Sequence, residues 1–244
     1  MLFRSNNFCV ILTCTIDVKG IAFMERSNIG DRFKDYCSAF EMWLNGGGAN
    51  NIVFVENSGY DLSYFKELAL KFPHKNVEFI SFDGQDFDRA LGKGYGEMLA
   101  LKRVFDCSKL LSEKGWFVKV NGRYYIPKFE EVAKVIGAKP DIMCDLSKNL
   151  TWADSRVFGG GRSFFQSHLF PELLMVNDTK GLYFEHALVK ATLRGIADGL
   201  SWRLAPFVAI VGVSGTANEV YKRSHFKEFV RWAMYGVKKF LLAR

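Results

Sequence analysis

The sequence predicts a single α/β domain on a mostly parallel central sheet with helices on both faces, followed by a C-terminal amphipathic helix. Three observations predict it. Short β-branched apolar runs alternate with segments of helical spacing through the first half of the chain. The 244 residues are 49% hydrophobic and 15% aromatic, 23 of them Phe, which excludes a disordered chain and suffices for one large core. The five cysteines (Cys9, Cys14, Cys37, Cys107, Cys144) form no CxxC pair, so they read as reduced, buried thiols and not as a disulfide scaffold.

Taken in order, Phe8–Ile16 is a buried strand by length and β-branching. Phe33, Tyr36, Cys37, Phe40 and Leu44 recur at helical spacing over 31–44, and three glycines from Gly46 end that helix. Asn51–Glu56 is a second strand, stopped by Asn57, Ser58 and Gly59. A helix over Leu62–Phe72 precedes Pro73, and Val77–Phe82 is a third strand. Gly92–Leu111 reads as one long helix and Trp116–Val120 as a fourth strand. Beyond that the pattern weakens: Gly159, Gly160 and Gly161 interrupt it, and Ala187–Ala197 is helical. The organisation is one domain over 1–222 and a helix over 223–244, whose apolar face (Phe226, Phe229, Val230, Ala233, Val237, Phe240, Leu241) opposes Lys227, Arg231, Lys238 and Lys239. Such a helix either docks on the domain or lies in an anionic membrane interface.

Lys plus Arg is 33 against 26 Asp plus Glu, a net charge of +7, which favours anionic partners. No nucleic-acid-binding signature accompanies the charge, and no nucleic acid is expected. The longest apolar runs are about half the ~20 residues a spanning helix needs, so the expected location is cytoplasmic.

Six constellations carry polar chemistry, each beside a plainer reading. Glu56, Asn57 and Ser58 stand where doubly wound sheets bind nucleotides, or simply make a turn. Gly92, Lys93 and Gly94 open a helix as a phosphate-cradling loop would, although the spacing is neither GxxxxGK[ST] nor GxGxxG. Lys119, Asn121 and Arg123 end strand four as a phosphate clamp or as solvated charges. Asp154, Arg156 and Gly159 suit a substrate loop or an internal salt bridge. Glu185 and His186 open a helix and suit acid–base work or the helix dipole. Ser214 and Thr216 sit in a small polar turn after an apolar strand, able to close over phosphates or only to turn. The Asp86-Phe87-Asp88 triplet lies before the glycine-rich helix and not after strand four, and the four histidines lack zinc spacing.

The blocks Gly92-Lys93-Gly94-Tyr95-Gly96-Glu97 and Lys119-Val120-Asn121-Gly122-Arg123-Tyr124, in this order after two strands, resemble bacterial glycosyltransferases of the GT-A type that act in lipopolysaccharide and capsule synthesis. The resemblance spans about residues 8–222. Asn121 stands where that group usually has Thr, and Pro127 where an Asn often sits. It implies a GT-A-like, Rossmann-like domain that moves a sugar from a UDP- or CMP-linked donor to a hydroxyl of a glycan or lipid-linked acceptor. Donor binding would fall to Glu56, with Asn57 and Ser58, and to Gly92, Lys93 and Gly94. GT-A enzymes usually carry a metal-binding DxD after strand four. Asn121-Gly122-Arg123 stands there instead, so no metal ligand is assigned and a Mg or Mn requirement is left open. Lys119 and Arg123 are expected to stabilise the leaving diphosphate, Glu185 to be the base and Asp154 the alternative base. The acceptor class implies a peripheral position on the inner membrane face, held by 225–244. The rival classes are a nucleotidyltransferase and a non-catalytic nucleotide-binding module.

Overall fold

Phe8–Cys14 forms β1, a strand buried along its whole length, and two-sided burial demands a covering layer on each face. Val10, Leu12 and Cys14 enter one core and Cys9 and Ile11 the other, the period-two alternation of a strand. The computed structural model describes residues 7–20, 25–214, 220–221 and 235–238. In it β1 lies between β2 (Asn51–Glu56) and β4 (Trp116–Asn121), both parallel to it, and β3 (Asn76–Ser81) runs parallel outside β2. With β6 (Ile142–Cys144), β7 (Val157–Gly161) and β8 (Trp202–Leu204) the sheet has seven strands in the order β3-β2-β1-β4-β7-β6-β8. Only β7 is antiparallel to its neighbours. A small antiparallel sheet joins β5 (Tyr124–Tyr125), β9 (Val211–Val213) and β10 (Val220–Tyr221).

Helices cover both faces. Tyr36, Phe40 and Trp43 of α1 (Ile29–Asn45), Phe65 of α2 (Ser63–Leu70) and Val132 of α5 (Phe129–Gly137) pack on one side. Met98, Leu101 and Val104 of α3 (Gly92–Cys107), Leu111 of α4 (Lys109–Ser112) and Ala187 and Ala191 of α6 (Phe184–Ala197) pack on the other.

Three expectations need correction. The helix over Gly92–Leu111 is two helices, because the Ser108 hydroxyl accepts the Leu111 N–H at 3.0 Å and restarts the chain. Gly159 to Gly161 do not interrupt structure; they are strand β7, in the middle of the sheet. A Cβ on Gly159 would lie 2.4 Å from the Phe117 carbonyl oxygen and 2.5 Å from the Trp116 ring, so the glycine makes room for an indole laid across the strand. Gly159 is therefore buried and lines no substrate loop. β1 ends at Cys14 and not Ile16, because the Thr15 and Ile16 carbonyls turn to accept the Arg32 guanidinium.

Of the C-terminal segment, Tyr235–Lys238 is helical, and the Lys238 ammonium pairs with Asp145 of the domain. The rest of 223–244 lies outside the described residues, as does Thr216; Ser214 is buried. No helix among the described residues is long and apolar enough to cross a membrane.

Candidate active site

The carboxyl ends of β1, β2 and β4 open on one edge of the sheet, beside the start of α3, where open α/β sheets bind ligands. Gly122 closes this edge: its N–H donates to the Thr13 carbonyl at 2.8 Å, and a Cβ there would lie 2.8 Å from the same oxygen. The next residue is Arg123. Its N–H donates to the Asn121 side-chain oxygen at 3.2 Å, and Gly212 of β9 (φ +143°) lies so close that a Cβ would be 2.0 Å from the Arg123 carbonyl oxygen. Backbone on both sides thus aims the Arg123 side chain into a cleft lined by Thr15, Arg32, Tyr36, Asn57, Lys93 and Glu97.

Arg123 is 5% exposed, and among the described residues neither Nε nor Nη1 has a hydrogen-bond partner. Its guanidinium lies 5.7 Å from the Tyr36 ring centroid; that of Arg32 lies 5.8 Å from the same centroid. Arg32, 1% exposed, donates to the carbonyls of Thr15 (2.8 Å), Ile16 (3.2 Å) and Arg26 (3.0 Å). Burial, together with the charge of Arg123, lowers its pKa. Among the described residues no carboxylate pairs with either arginine. Unsatisfied buried donors on a cation cost about 1–3 kcal/mol or more, so this arrangement suits an anion that supplies the missing acceptors. The cleft encloses ≈ 60 Å³, room for about two waters at ≈ 30 Å³ each and the scale of a single phosphate group. A nucleoside would lie beyond it.

Lys119, expected to share that role, does something else. Its ammonium is 1% exposed, 2.7 Å from Glu97 Oε1, and donates to the Ser155 carbonyl at 2.7 Å. The Thr13 hydroxyl donates to the same Glu97 oxygen at 2.7 Å. Burial works to raise the Glu97 pKa, but the Lys119 charge and the two hydrogen bonds outweigh it and hold the carboxyl below its usual range. Lys119 neutralises Glu97 from beneath the cleft and cannot reach a diphosphate.

The strand-two block is also structural. Glu56 is fully buried and accepts the N–H groups of Ile16 (3.1 Å), Ser58 (3.0 Å) and Tyr60 (2.8 Å) and the Ser58 hydroxyl. Burial pushes its carboxyl up against those bonds. Both oxygens are consumed in tying the loop after β1 to β2, so Glu56 contacts no nucleoside. Ser58 accepts the Asp17 N–H at 3.1 Å, while Asn57 bridges the Thr15 hydroxyl (2.6 Å) and the Gly96 carbonyl (3.1 Å). Of the three, Asn57 lines the cleft.

The glycine-rich helix start is already occupied. Asp178 presents its carboxylate there, and the Gly94 N–H donates to it at 3.4 Å. A Cβ on Gly92 (φ +81°) would lie 2.3 Å from Asp178 Oδ2, and one on Gly94 would lie 3.2 Å from both Asp178 and Phe184. The glycines admit an internal carboxylate to the helix terminus and do not line the Arg123 cleft. Lys93, exposed at the rim, and Gly96 do.

A second cleft, ≈ 390 Å³, opens on the other side of Lys119 and Ser155, lined by Asp145, Ser147, Trp152, Asp154, Arg156, Glu185 and Lys238. The Ser155 hydroxyl donates to Glu185 at 2.6 Å, so Glu185, Ser155, Lys119 and Glu97 form one chain of contacts between the clefts. Asp154 accepts Nε of Arg156 at 2.9 Å and Nη2 at 2.6 Å. Burial opposes its charge, but the Arg156 bonds and charge prevail and hold its carboxyl low. Asp154 is a salt-bridge partner, not a base. Arg156 is held by it, and Glu185 has no ion-pair partner among the described residues. His186 Nδ1 accepts the Tyr183 N–H at 3.0 Å, a helix cap that commits this side chain to the start of α6.

Arg32, Glu97, Asp178 and Trp152 were not among the candidates. Arg32 sits at a polar position of an amphipathic helix, and nothing in its neighbours signals burial. Glu97 is the last residue of the glycine block and was legible there. Among the described residues no group of three or more His, Cys, Asp or Glu side chains could hold a metal ion, and Asp88 caps a helical turn by accepting the Ala90 N–H at 2.9 Å.

No protein-family model matches the chain, and no curated protein matches it in sequence. Solved structures with a similar layout include a nucleoside-diphosphate-sugar pyrophosphorylase from Vibrio cholerae (TM-score 0.49, 12% identity, 93% of this chain and 99% of that one). Others are a 4-diphosphocytidyl-2C-methyl-D-erythritol synthase from Anaerococcus prevotii (0.45, 9%, 96% and 98%) and an inositol-1-phosphate CTP transferase from T. maritima (0.44, 12%, 93% and 96%). At these values the likeness carries no argument about chemistry, which rests on the clefts themselves.

Proposed function

We propose that this chain is a glycosyltransferase that binds the diphosphate of a nucleotide sugar at Arg123 and transfers the sugar to a hydroxyl held in the Glu185 cleft. The buried Arg123 guanidinium, with Nε and Nη1 lacking a hydrogen-bond partner among the described residues, carries the reading. In the step, the acceptor hydroxyl gives its proton to Glu185 and its oxygen bonds to the anomeric carbon. The anomeric carbon–oxygen bond to the diphosphate breaks, and that electron pair leaves on phosphate, where Arg123 and Lys93 meet the growing charge and Arg32 adds its positive field from behind. Asn57, Asn121 and Glu97 line the donor cleft. A divalent ion, if the donor brings one, adds charge stabilisation of the same kind.

Glu185→Gln is expected to lower kcat about 10²–10⁴-fold while leaving the Kd for the nucleotide sugar unchanged. A weakened donor Kd with unaltered kcat would remove Glu185 from this role.

Nucleotidyl transfer is the second reading, and the names of the solved structures above fit it better than glycosyl transfer. That chemistry brings two anionic reactants together and calls for surplus cations in both clefts. Among the described residues the second cleft instead has three carboxylates (Asp145, Asp154, Glu185) against two cations (Arg156, Lys238), which suits an uncharged hydroxyl. Products discriminate: free nucleoside diphosphate or monophosphate from a nucleotide sugar marks glycosyl transfer, and pyrophosphate from a nucleoside triphosphate with a sugar phosphate marks nucleotidyl transfer. Binding of a nucleotide sugar without consumption marks a non-catalytic module.

Attachment of 225–244 to an anionic membrane surface belongs to the same proposal, with the Lys238 cation already committed to Asp145. The full chain is then expected to co-sediment with anionic vesicles and to be released by salt; equal recovery with zwitterionic vesicles would discard the attachment.

A further inference from the structure

The loop between β6 and β7 is built to present aromatic surface at the mouth of the second cleft. The Ser147 N–H donates to the Trp152 carbonyl at 2.8 Å, and the Ser147 hydroxyl accepts the N–H groups of Thr151 (3.2 Å) and Trp152 (3.0 Å). At the tip Leu150 has φ +56°, a conformation a branched side chain adopts only when its surroundings impose it. This scaffold holds Trp152 39% exposed, its ring 5.0 Å from that of His186 and 6.0 Å from that of Tyr183, itself 39% exposed. An ordered indole left in water above a cleft of carboxylates is the complement of a ring with an apolar face and hydroxyl edges.

We infer that Trp152 and Tyr183 seat a neutral hexopyranose unit of the acceptor, with its hydroxyls turned to Glu185 and the polar wall of the cleft. The inference rests on the transferase reading and names its acceptor class. Charge decides against anionic occupants. Asp154 and Asp145 are neutralised by Arg156 and Lys238, which leaves Glu185 as the net charge among the described residues of the cleft and repels a sugar phosphate or a phospholipid headgroup. Size agrees: ≈ 390 Å³ is within the range of small-ligand sites of roughly 300–1,000 Å³, which combine aromatic lining with a few placed polar groups.

The test is the indole ¹⁵N–¹H spectrum of the full chain, which contains five Trp, with the Trp152 peak assigned from Trp152→Phe. The chain is titrated to tens of millimolar with methyl glucoside, methyl galactoside and methyl N-acetylglucosaminide, and separately with glucose 1-phosphate. At least one methyl hexoside is expected to shift the Trp152 peak and leave that of buried Trp43 in place. Followed in the backbone amide spectrum, where both variants can be titrated, Trp152→Ala should weaken that hexoside about tenfold, and Trp152→Phe by less. A Trp152 peak unmoved by every hexoside, or moved by glucose 1-phosphate more than by any hexoside, overturns the inference. Nucleotide-sugar binding at Arg123, measured by calorimetry on the same samples, reports separately on the donor cleft.

Discussion

Arg123→Met is expected to weaken nucleotide-sugar binding by on the order of 10²-fold or more and to raise the melting temperature of the unliganded protein. The two effects share one cause. Among the described residues Nε and Nη1 of Arg123 are buried without hydrogen-bond partners, and the neighbouring charge is the Arg32 cation, which lowers no cost of burial. A methionine of similar length fills the space against Tyr36 and removes the unsatisfied charge, a gain of about 1–2 kcal/mol. For a domain of this size that is roughly 2–8 °C. A merely structural arginine would show the reverse, with loss of stability and little change in ligand affinity. Paired calorimetric binding and thermal unfolding of the two proteins separates the cases.

The second large effect concerns stability alone. Lys119→Met strands the Glu97 carboxylate, which is 20% exposed and otherwise held by the Thr13 hydroxyl. Breaking a buried pair from one side costs about 3–5 kcal/mol, and the partial exposure of Glu97 places the expected loss near the lower end. The folded-state pKa of Glu97 is depressed in the native protein. The pair therefore contributes stability that is present above the unfolded carboxylate pKa and lost as pH falls through the folded one. The gap between the native chain and Lys119→Met should then be widest near neutrality and narrow on acidification, and Lys119→Met/Glu97→Leu should recover most of it. Thermal unfolding across pH 4–8 checks this; a pH-independent gap would mean that Lys119 acts by packing between Phe158 and Phe184 (5.8 and 5.6 Å).

Much of the fold was legible because its first half is built from local signals. β2 has the predicted bounds, and β1 and β4 differ by one or two residues at their ends. In the second half the helix α6 was legible, its expected start at Ala187 three residues late, but the strand β7 was not, because it is glycine-rich and the cause lies in Trp116 on the neighbouring strand. The site divides the same way. Arg123 could be placed from the end of its strand. Glu56, Gly92 and Gly94 were misread because a carboxylate or glycine run at a strand end or helix start has the same local pattern whether its partner is a ligand or another part of the chain. Here the partners are Ile16 and Tyr60, and Asp178, brought in by tertiary contacts that no local window contains. Arg32 was missed for the converse reason: it occupies a helical position that usually faces water, and the loop after β1 covers it.

The measurement that bears most directly on the proposed donor site at Arg123 is thermal unfolding of the native chain and Arg123→Met against UDP-, GDP-, dTDP- and CMP-sugars in EDTA. At about 100 times Kd a bound donor adds about 2.7 kcal/mol, some 5–10 °C at this size. A shift of that order with one nucleotide class, retained in EDTA and abolished in Arg123→Met, is the predicted result. A shift of equal size in both proteins, or none with any nucleotide sugar, would contradict the assignment of Arg123 as the diphosphate anchor.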